Sequence, residues 1–205
     1  MSNLIFHFWA QFSRLRFVKR WSIKYNHTEE DCLQHSAEVA SVAHALAVIR
    51  NHLTNSNELD ANKAGMIGLY HDMSESITGD VITPAKKADP IIENAFKEIE
   101  SRAERVLIDL LPGETQGEFK KLVISEQIPE NYRIIVKEAD VIAAYTKCKR
   151  EVALGNPEFK DALIDIENRL KEFAERPEVM YFLKHALPSY TETIDSQLTN
   201  GISAK

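Results

Sequence analysis

Cysteine is nearly absent: Cys32 and Cys148 are the only two in 205 residues. That excludes a disulfide scaffold and fits two reduced thiols in a cytoplasmic protein. Glycine and proline are sparse, at seven each, which excludes collagen-like and low-complexity chains. Basic charge is in deficit, with 25 Lys and Arg against 31 Asp and Glu and a formal net charge of -6. A chain of that sign is a poor general binder of nucleic-acid polymers or anionic membranes, although a small anionic ligand needs only a local basic cluster. No apolar run approaches the roughly 20 residues of a membrane span. The opening "MSNLIFHFWAQFSRLRF" lacks a leading positive region and a small-residue cleavage site, so it is not read as a secretory leader.

Further absences narrow the chemistry. There is no glycine-rich phosphate loop, no G-x-S-x-G elbow and no Cys/His pairing that spacing justifies. A covalent phosphatase built on a paired-Asp strand motif needs a strand, and no alternating strand pattern or internal repeat is present.

What the chain does contain is helical periodicity almost throughout. Helices are expected at about 3–20, 33–53, 60–76, 90–111, 115–126, 131–154, 158–175 and 177–197. Asp60, Asp89-Pro90 and Asn156-Pro157 read as helix caps, two of them with proline at the first helical position. The expected organisation is a single all-α domain over 1–205, with its core at about 8–190 and a frayed tail at 199–205. The stretches "WSIKYNHTEED" and "TGDVITPAKKAD" stand out as irregular, and such loops often carry function.

Titratable chemistry concentrates in a few places. His35 opens a stripe with Val39, Val42, Leu46 and Ile49, so it is either a satisfied core histidine or a ligand at the edge of a core. His44 lies half a turn away and is expected to face solvent. In "LYHDMSESITGD", His71, Asp72 and Glu75 crowd one side of the expected helix. Alone, that reads equally as a solvated helix end. Asp140, in "VKEADVIAAYTKC", sits among apolar neighbours, where a carboxylate needs an ion pair or a metal. Together His35, His71, Asp72 and Asp140 form a nitrogen and oxygen set suited to a divalent cation. The run "RLRFVKRW" adds basic and aromatic side chains, most of them readable as a solvated face.

The order His, His-Asp, Asp on helices resembles the HD-domain superfamily of metal-dependent phosphohydrolases. "KRW", "QHSAEVASVAHALA", "LYHDMSESITGD", "TPAKK" and "VKEADVIAAYTKC" together are similar to bacterial 5′-deoxynucleotidases of the YfbR type. The resemblance runs from about residue 8 to 190, and one departure is Ile82, where the family usually has proline. It implies an HD-domain helical bundle that hydrolyses deoxyribonucleoside 5′-monophosphates and forms a homodimer. It implies metal ligation by His35, His71, Asp72 and Asp140, with Co, Mn or Cu favoured. It gives Glu75 the proton-handling role, alternatively that of orienting a ligand histidine. Arg20 is implied to act on the phosphate, catalytically as well as in binding, and Trp21, Asp72, Asp80, Val81, Ile82 and Thr83 to contact substrate. The alternatives are another HD phosphohydrolase or phosphodiesterase, or a metal- or nucleotide-binding module without turnover. The surplus apolar stretch "VMYFLKHAL" fits a homodimer.

Overall fold

The computed structural model describes residues 5–203, with side chains through residue 199. It is helical throughout: α1 (Phe8–Arg14), a 3₁₀ turn (Leu15–Phe17), α2 (Cys32–Thr54), α3 (Ala61–Tyr70), α4 (Glu75–Thr78), α5 (Thr83–Lys86), α6 (Pro90–Asp109), α7 (Gly113–Val123), a 3₁₀ turn (Ser125–Gln127), α8 (Glu130–Ala153), a 3₁₀ turn (Pro157–Phe159), α9 (Lys160–Lys171), α10 (Pro177–His185), a 3₁₀ turn (Leu187–Thr191) and α11 (Ile194–Ser203). Among the described residues no strand forms, and one isolated antiparallel bridge joins Lys19 to Asp31.

The expected caps are in place. Asp60 accepts from the Lys63 backbone N–H, Asp89 from those of Ile91 and Ile92, and Asn156 from that of Glu158. Asp31 adds a reciprocal capping box with Gln34 at the start of α2, which satisfies two otherwise orphaned N–H groups.

Several expected boundaries move. The first expected helix, 3–20, is shorter: residues 3 and 4 lie outside the described residues, α1 begins at Phe8, and the chain leaves helical geometry after Phe17. The expected 60–76 helix breaks after Tyr70. The N–H groups of Met73, Glu75, Ser76 and Ile77 bond three residues back, to Tyr70, Asp72, Met73 and Ser74, a tighter winding than the α-helix. The expected 177–197 helix is split where Pro188 and its neighbours form a 3₁₀ turn, because proline cannot continue the hydrogen-bond ladder. The expected frayed tail is helical through Ser203, while residues 204 and 205 lie outside the described residues.

Two apolar clusters make the core. One joins Val39, Val42 and Leu46 of α2 to Ile67 of α3, Ile135 and Ile142 of α8, Phe159, and Val179 and Phe182 of α10. The other joins Phe8, Leu15, Cys32, Tyr70, Met73, Leu107, Ile108 and Val123. The chain crosses from the first cluster to the second between Ile67 and Tyr70, so His71 and Asp72 stand at the seam. The crossing needs close backbones. A Cβ on Gly68 would lie 3.0 Å from Ala40 Cα and 3.2 Å from both Ala40 N and Val39 O.

The irregular 18–31 segment is tied down by α8. Glu151 accepts from the backbone N–H groups of His27 and Thr28, both at 2.9 Å, from Lys147 Nζ at 2.6 Å and from Asn156 Nδ2 at 2.7 Å. Burial pushes its carboxyl upward, but these partners outweigh burial and hold it at about 2, below the ordinary 4.5.

Gly68→Ala should destabilise the fold by about 1–3 kcal/mol in chemical denaturation, the usual cost of overpacking, although alanine is the better helix former. Gly117→Ala, in α7 with no heavy atom within 4 Å of the added Cβ, should stabilise by about 0.5–1 kcal/mol. Effects of the same sign at both positions would contradict the close approach. A second expectation concerns acid. A carboxylate whose folded pKa is depressed stabilises the fold above its ordinary value and loses that contribution as pH falls. Stability should therefore decline between about pH 4.5 and 2 through Glu151. Glu151→Gln should remove that part of the decline, and an unchanged pH slope in the variant would assign it elsewhere.

Candidate metal centre and substrate cleft

Helix α2 places His35 one turn in from its capped N-terminus, fully buried on the stripe that continues as Val39, Val42 and Leu46. His44 is exposed, as its phase requires. The tightened turn after α3 delivers His71 and Asp72, and the middle of α8 delivers Asp140. One ligand atom from each of His35, His71 and Asp72 lies within 4.8 Å of the other two. Asp140 Oδ1 is 3.1 Å from His35 Nε2, so the fourth expected member joins the group at its His35 side. The Asp140 side chain is 33% exposed rather than fully buried.

The geometry suits a cation. His71 Nδ1 lies 2.7 Å from the carbonyl of Gly68, a contact that fixes the proton there and leaves Nε2 free to ligate. Nε2 is buried without a hydrogen-bond partner even though Asp72 Oδ2 is 3.1 Å away. Asp72 Oδ2 is also 3.7 Å from His35 Nε2. Two imidazoles and two carboxylates, with one buried ring nitrogen unpaired and aimed into the group, fit a divalent ion of the first transition row.

Electrostatics point the same way. Burial works against a charged His71, but Asp72, then Asp140 and the Gly68 carbonyl, outweigh it and raise its pKa to about 9. A divalent cation competes for that position with the proton, since only the neutral ring ligates. Burial favours a neutral Asp72, yet His71, Arg20 and His35 hold it well below the ordinary carboxylate range. Asp140 is held at about 2, chiefly by His35 against the effect of burial.

Arg20 is placed by two acceptors. Its Nε donates to Glu30 Oε2 and its Nη1 to Asp72 Oδ2, both at 3.2 Å. Burial lowers its pKa, but Asp72, Asp140 and Glu30 more than compensate. Trp21 donates from Nε1 to the same Glu30 oxygen at 3.0 Å and packs on Phe159 at 5.3 Å between centroids. Its φ of 56° is a left-handed conformation that costs a bulky residue about 1–3 kcal/mol. The Trp21 carbonyl is held by Lys24 N–H and Asn26 Nδ2.

Glu75 opens α4, beside the cluster and 5% exposed. Its Oε2 accepts from Cys32 Sγ at 3.0 Å, and its Oε1 lies 3.6 Å from Lys86 Nζ. Burial, then Asp72 and Asp80, push its carboxyl up to about 8, against Cys32 and Arg20. Its contacts run to Cys32 and Lys86 and to neither ligand histidine. Cys32, also driven upward by burial and by Glu75, remains a thiol that can donate.

Gly79, at φ 73°, closes α4 and turns the chain away so that Asp80 follows. Asp80, Val81 and Ile82 are half-buried, and Thr83 is exposed at the start of α5. Asp80 acts on the cluster through the charge it exerts on Glu75. Ile82 has φ -56°, the angle proline would impose, so the departure at this position leaves the backbone in a proline-like path. A cleft of about 280 Å³ opens beside the cluster, and His71, Asp72, Glu75, Lys86, Phe96 and Glu100 are among the residues that line it.

Four residues of this site carry no signal in the sequence. Glu30 positions Arg20 and Trp21, Cys32 and Lys86 flank Glu75, and Glu100 anchors Lys86 at 2.9 Å. Each pairing spans at least 9 residues, and no local periodicity marks it.

The family described as 5′-deoxynucleotidase YfbR-like matches residues 7–190. A 5′-deoxynucleotidase of Yersinia pseudotuberculosis is 41% identical over 189 residues, covering 92% of this chain and 95% of that protein. One from Yersinia pestis is 40% identical with the same coverage. The fold matches an HD-domain phosphohydrolase from Listeria innocua at a TM-score of 0.78 and 23% identity, covering 97% of each chain. It also matches a cyanophage S-2L HD phosphohydrolase, solved with dA and one catalytic Zn²⁺, at 0.61 and 16% identity, covering 88% of this chain and 96% of that one. With an all-helical bundle, two histidines and an aspartate converging at the seam of its two apolar clusters, and a match over most of its length, the chain belongs to the YfbR-like 5′-deoxynucleotidase family.

Proposed function

We propose that the protein is a metal-dependent 5′-deoxynucleotidase that hydrolyses deoxyribonucleoside 5′-monophosphates to deoxyribonucleosides and phosphate. The observation that carries this reading is the convergence of His35, His71 and Asp72 within 4.8 Å, beside a buried Glu75, in a chain 41% identical to a curated 5′-deoxynucleotidase. His35, His71, Asp72 and Asp140 would hold the ion. When bound, a divalent cation acidifies water and stabilises negative charge on phosphoryl oxygens. Which ion serves is left to availability, with Co, Mn or Cu the expectation from the resemblance and Zn the ion of the cyanophage protein.

The protein's own groups supply the rest. The Arg20 guanidinium, braced by Glu30, binds the phosphate through paired N–H donors. Glu75 takes a proton from the attacking water and passes it toward the leaving 5′-oxygen, and its raised pKa suits transfer near neutral pH. Asp72 has a second role in orienting Arg20 and the phosphate it holds. Asp80 accepts from the 3′-hydroxyl, and Val81, Ile82 and Thr83 line the sugar side. Trp21, rigid on Phe159, forms the wall at the 2′ position. A wall of that kind rejects an added hydroxyl by about 10²-fold.

Residues 1–205 are taken as one HD domain, a reading supported by α2 and α3, which contribute to both apolar clusters. A homodimer is favoured by an apolar groove remote from the metal ligands, where Leu53, Met180 and Tyr181 are between 44% and 46% exposed. A cytoplasmic location is in keeping with two free, buried thiols. Among the described residues no helix is long and apolar enough to cross a membrane.

The test is phosphate release from paired deoxy and ribo 5′-monophosphates, with added divalent metals, for the wild type, Glu75→Gln and Trp21→Ala. The wild type should favour every deoxy member of a pair. Glu75→Gln should retain metal and lose at least about 10²-fold in kcat. Trp21→Ala should narrow the deoxy-over-ribo ratio of kcat/KM. Preference for a phosphodiester or another phosphorylated metabolite would favour a different HD phosphohydrolase, and metal-bound protein without turnover would favour a sensing module.

A further inference from the structure

Lys86 closes α5, the short helix that follows the substrate-side segment Asp80–Thr83. Its Nζ donates to Glu100 Oε1 of α6 at 2.9 Å and lies 3.6 Å from Glu75 Oε1. The other Glu75 oxygen accepts from the Cys32 thiol at 3.0 Å. One Glu75 oxygen is therefore hydrogen-bonded by a thiol from the first turn of α2, and the other lies within ion-pair range of an ammonium from α5. A glutamate side chain has substantial rotamer freedom, and a proton-handling group works only when held close to its productive geometry. Burial disfavours the charge on Lys86, but Glu100 and Glu75 outweigh it and keep the ammonium charged.

We propose that Lys86 is a positioning residue for Glu75: anchored on Glu100, its ammonium holds Glu75 Oε1 and links the orientation of that carboxylate to the seating of the Asp80–Thr83 segment. The proposal rests on the hydrolase reading, in which Glu75 handles the proton. Lys86 acts through Glu75 and leaves the phosphate to Arg20. Cys32 fixes one oxygen from the rigid α2 side, whereas Lys86 fixes the other from an element that substrate itself contacts. Phe96 and Glu100 of α6 line the same cleft as Lys86, and the half-buried bond to Glu100 gives the ammonium a support on α6.

The experiment measures kcat, KM and bound metal for a deoxyribonucleoside 5′-monophosphate in Lys86→Met, Lys86→Arg and Glu100→Gln. Lys86→Met should lower kcat by at least about 10-fold, the scale of a lost supporting contact. KM should stay within about threefold, because the lost interaction is not substrate binding, and metal content should match the wild type. Lys86→Arg should recover most of the rate, since a guanidinium can reach both carboxylates. Glu100→Gln keeps Lys86 but removes its charged anchor, and should lower kcat several-fold. A raised KM at unchanged kcat in Lys86→Met would make Lys86 a substrate-binding residue and overturn the proposal. Rates within about twofold of wild type in Lys86→Met and Glu100→Gln would also overturn it, as would a Lys86→Arg no better than Lys86→Met. If Lys86→Met does not fold, Glu100→Gln decides by the same criterion. A wild type inactive on every monophosphate would defeat the hydrolase reading and this proposal together, whereas an active wild type with unaffected variants defeats only the role of Lys86.

Discussion

The site depends on how closely α3 lies against α2. At Gly68 the α3 backbone approaches Ala40 so nearly that a Cβ would meet Ala40 Cα at 3.0 Å. One turn later the chain tightens into three-residue hydrogen bonds. That combination carries His71 and Asp72 up to His35, which α2 holds on its buried stripe. The carbonyl of the same Gly68 then takes the His71 Nδ1 contact at 2.7 Å. A single small residue thus sets both the distance between α2 and α3 and the ring nitrogen of His71 that is left without a hydrogen-bond partner. Alanine would improve the helix and spoil the junction, which is why intrinsic propensity is a poor guide at this position.

Charge balance is the second constraint. Asp72, Glu75 and Asp140 share one seam, and three carboxylates so close repel one another unless cations intervene. Arg20 serves Asp72, Lys86 lies within ion-pair range of Glu75, and His35, His71 and Asp72 converge closely enough that they could hold a divalent ion. The partners sort the carboxylates by role. Asp72 and Asp140 are held low, while Glu75, deeper and flanked by other acids, is pushed up to about 8. Divergent environments for neighbouring acids are the usual way a fold assigns one of them to proton transfer. Supporting contacts extend the same logic outward, with Glu30 steadying both Arg20 and Trp21 through one oxygen.

Much of this was legible in the sequence because it rests on local rules. The stripe from His35 to Leu46 follows from helical spacing, and Asp60, Asp89 and Asn156 cap helices through contacts two or three residues away. The break at His71–Ser74 was not legible, since helical periodicity continues through it while the hydrogen bonding changes. Asp140 reads as buried from its neighbours, yet its side chain is 33% exposed, which is set by how the helices assemble around it. Glu30, Cys32, Lys86 and Glu100 act through tertiary contacts, and their residue types are ordinary where they stand. At Ile82 the backbone φ of -56° is already what proline would set, so the residue type departs from the family pattern without a departure in φ.

The central claim is that His35, His71, Asp72 and Asp140 bind one divalent ion in the seam between α2, α3 and α8. Anomalous diffraction from crystals grown with Mn²⁺ tests it directly, collected on the wild type and on Asp140→Ala. The account predicts a single strong anomalous peak per chain, bounded by His35, His71, Asp72 and Asp140, and a weakened or absent peak in the variant. A peak elsewhere on the chain, or full occupancy in Asp140→Ala, would contradict it.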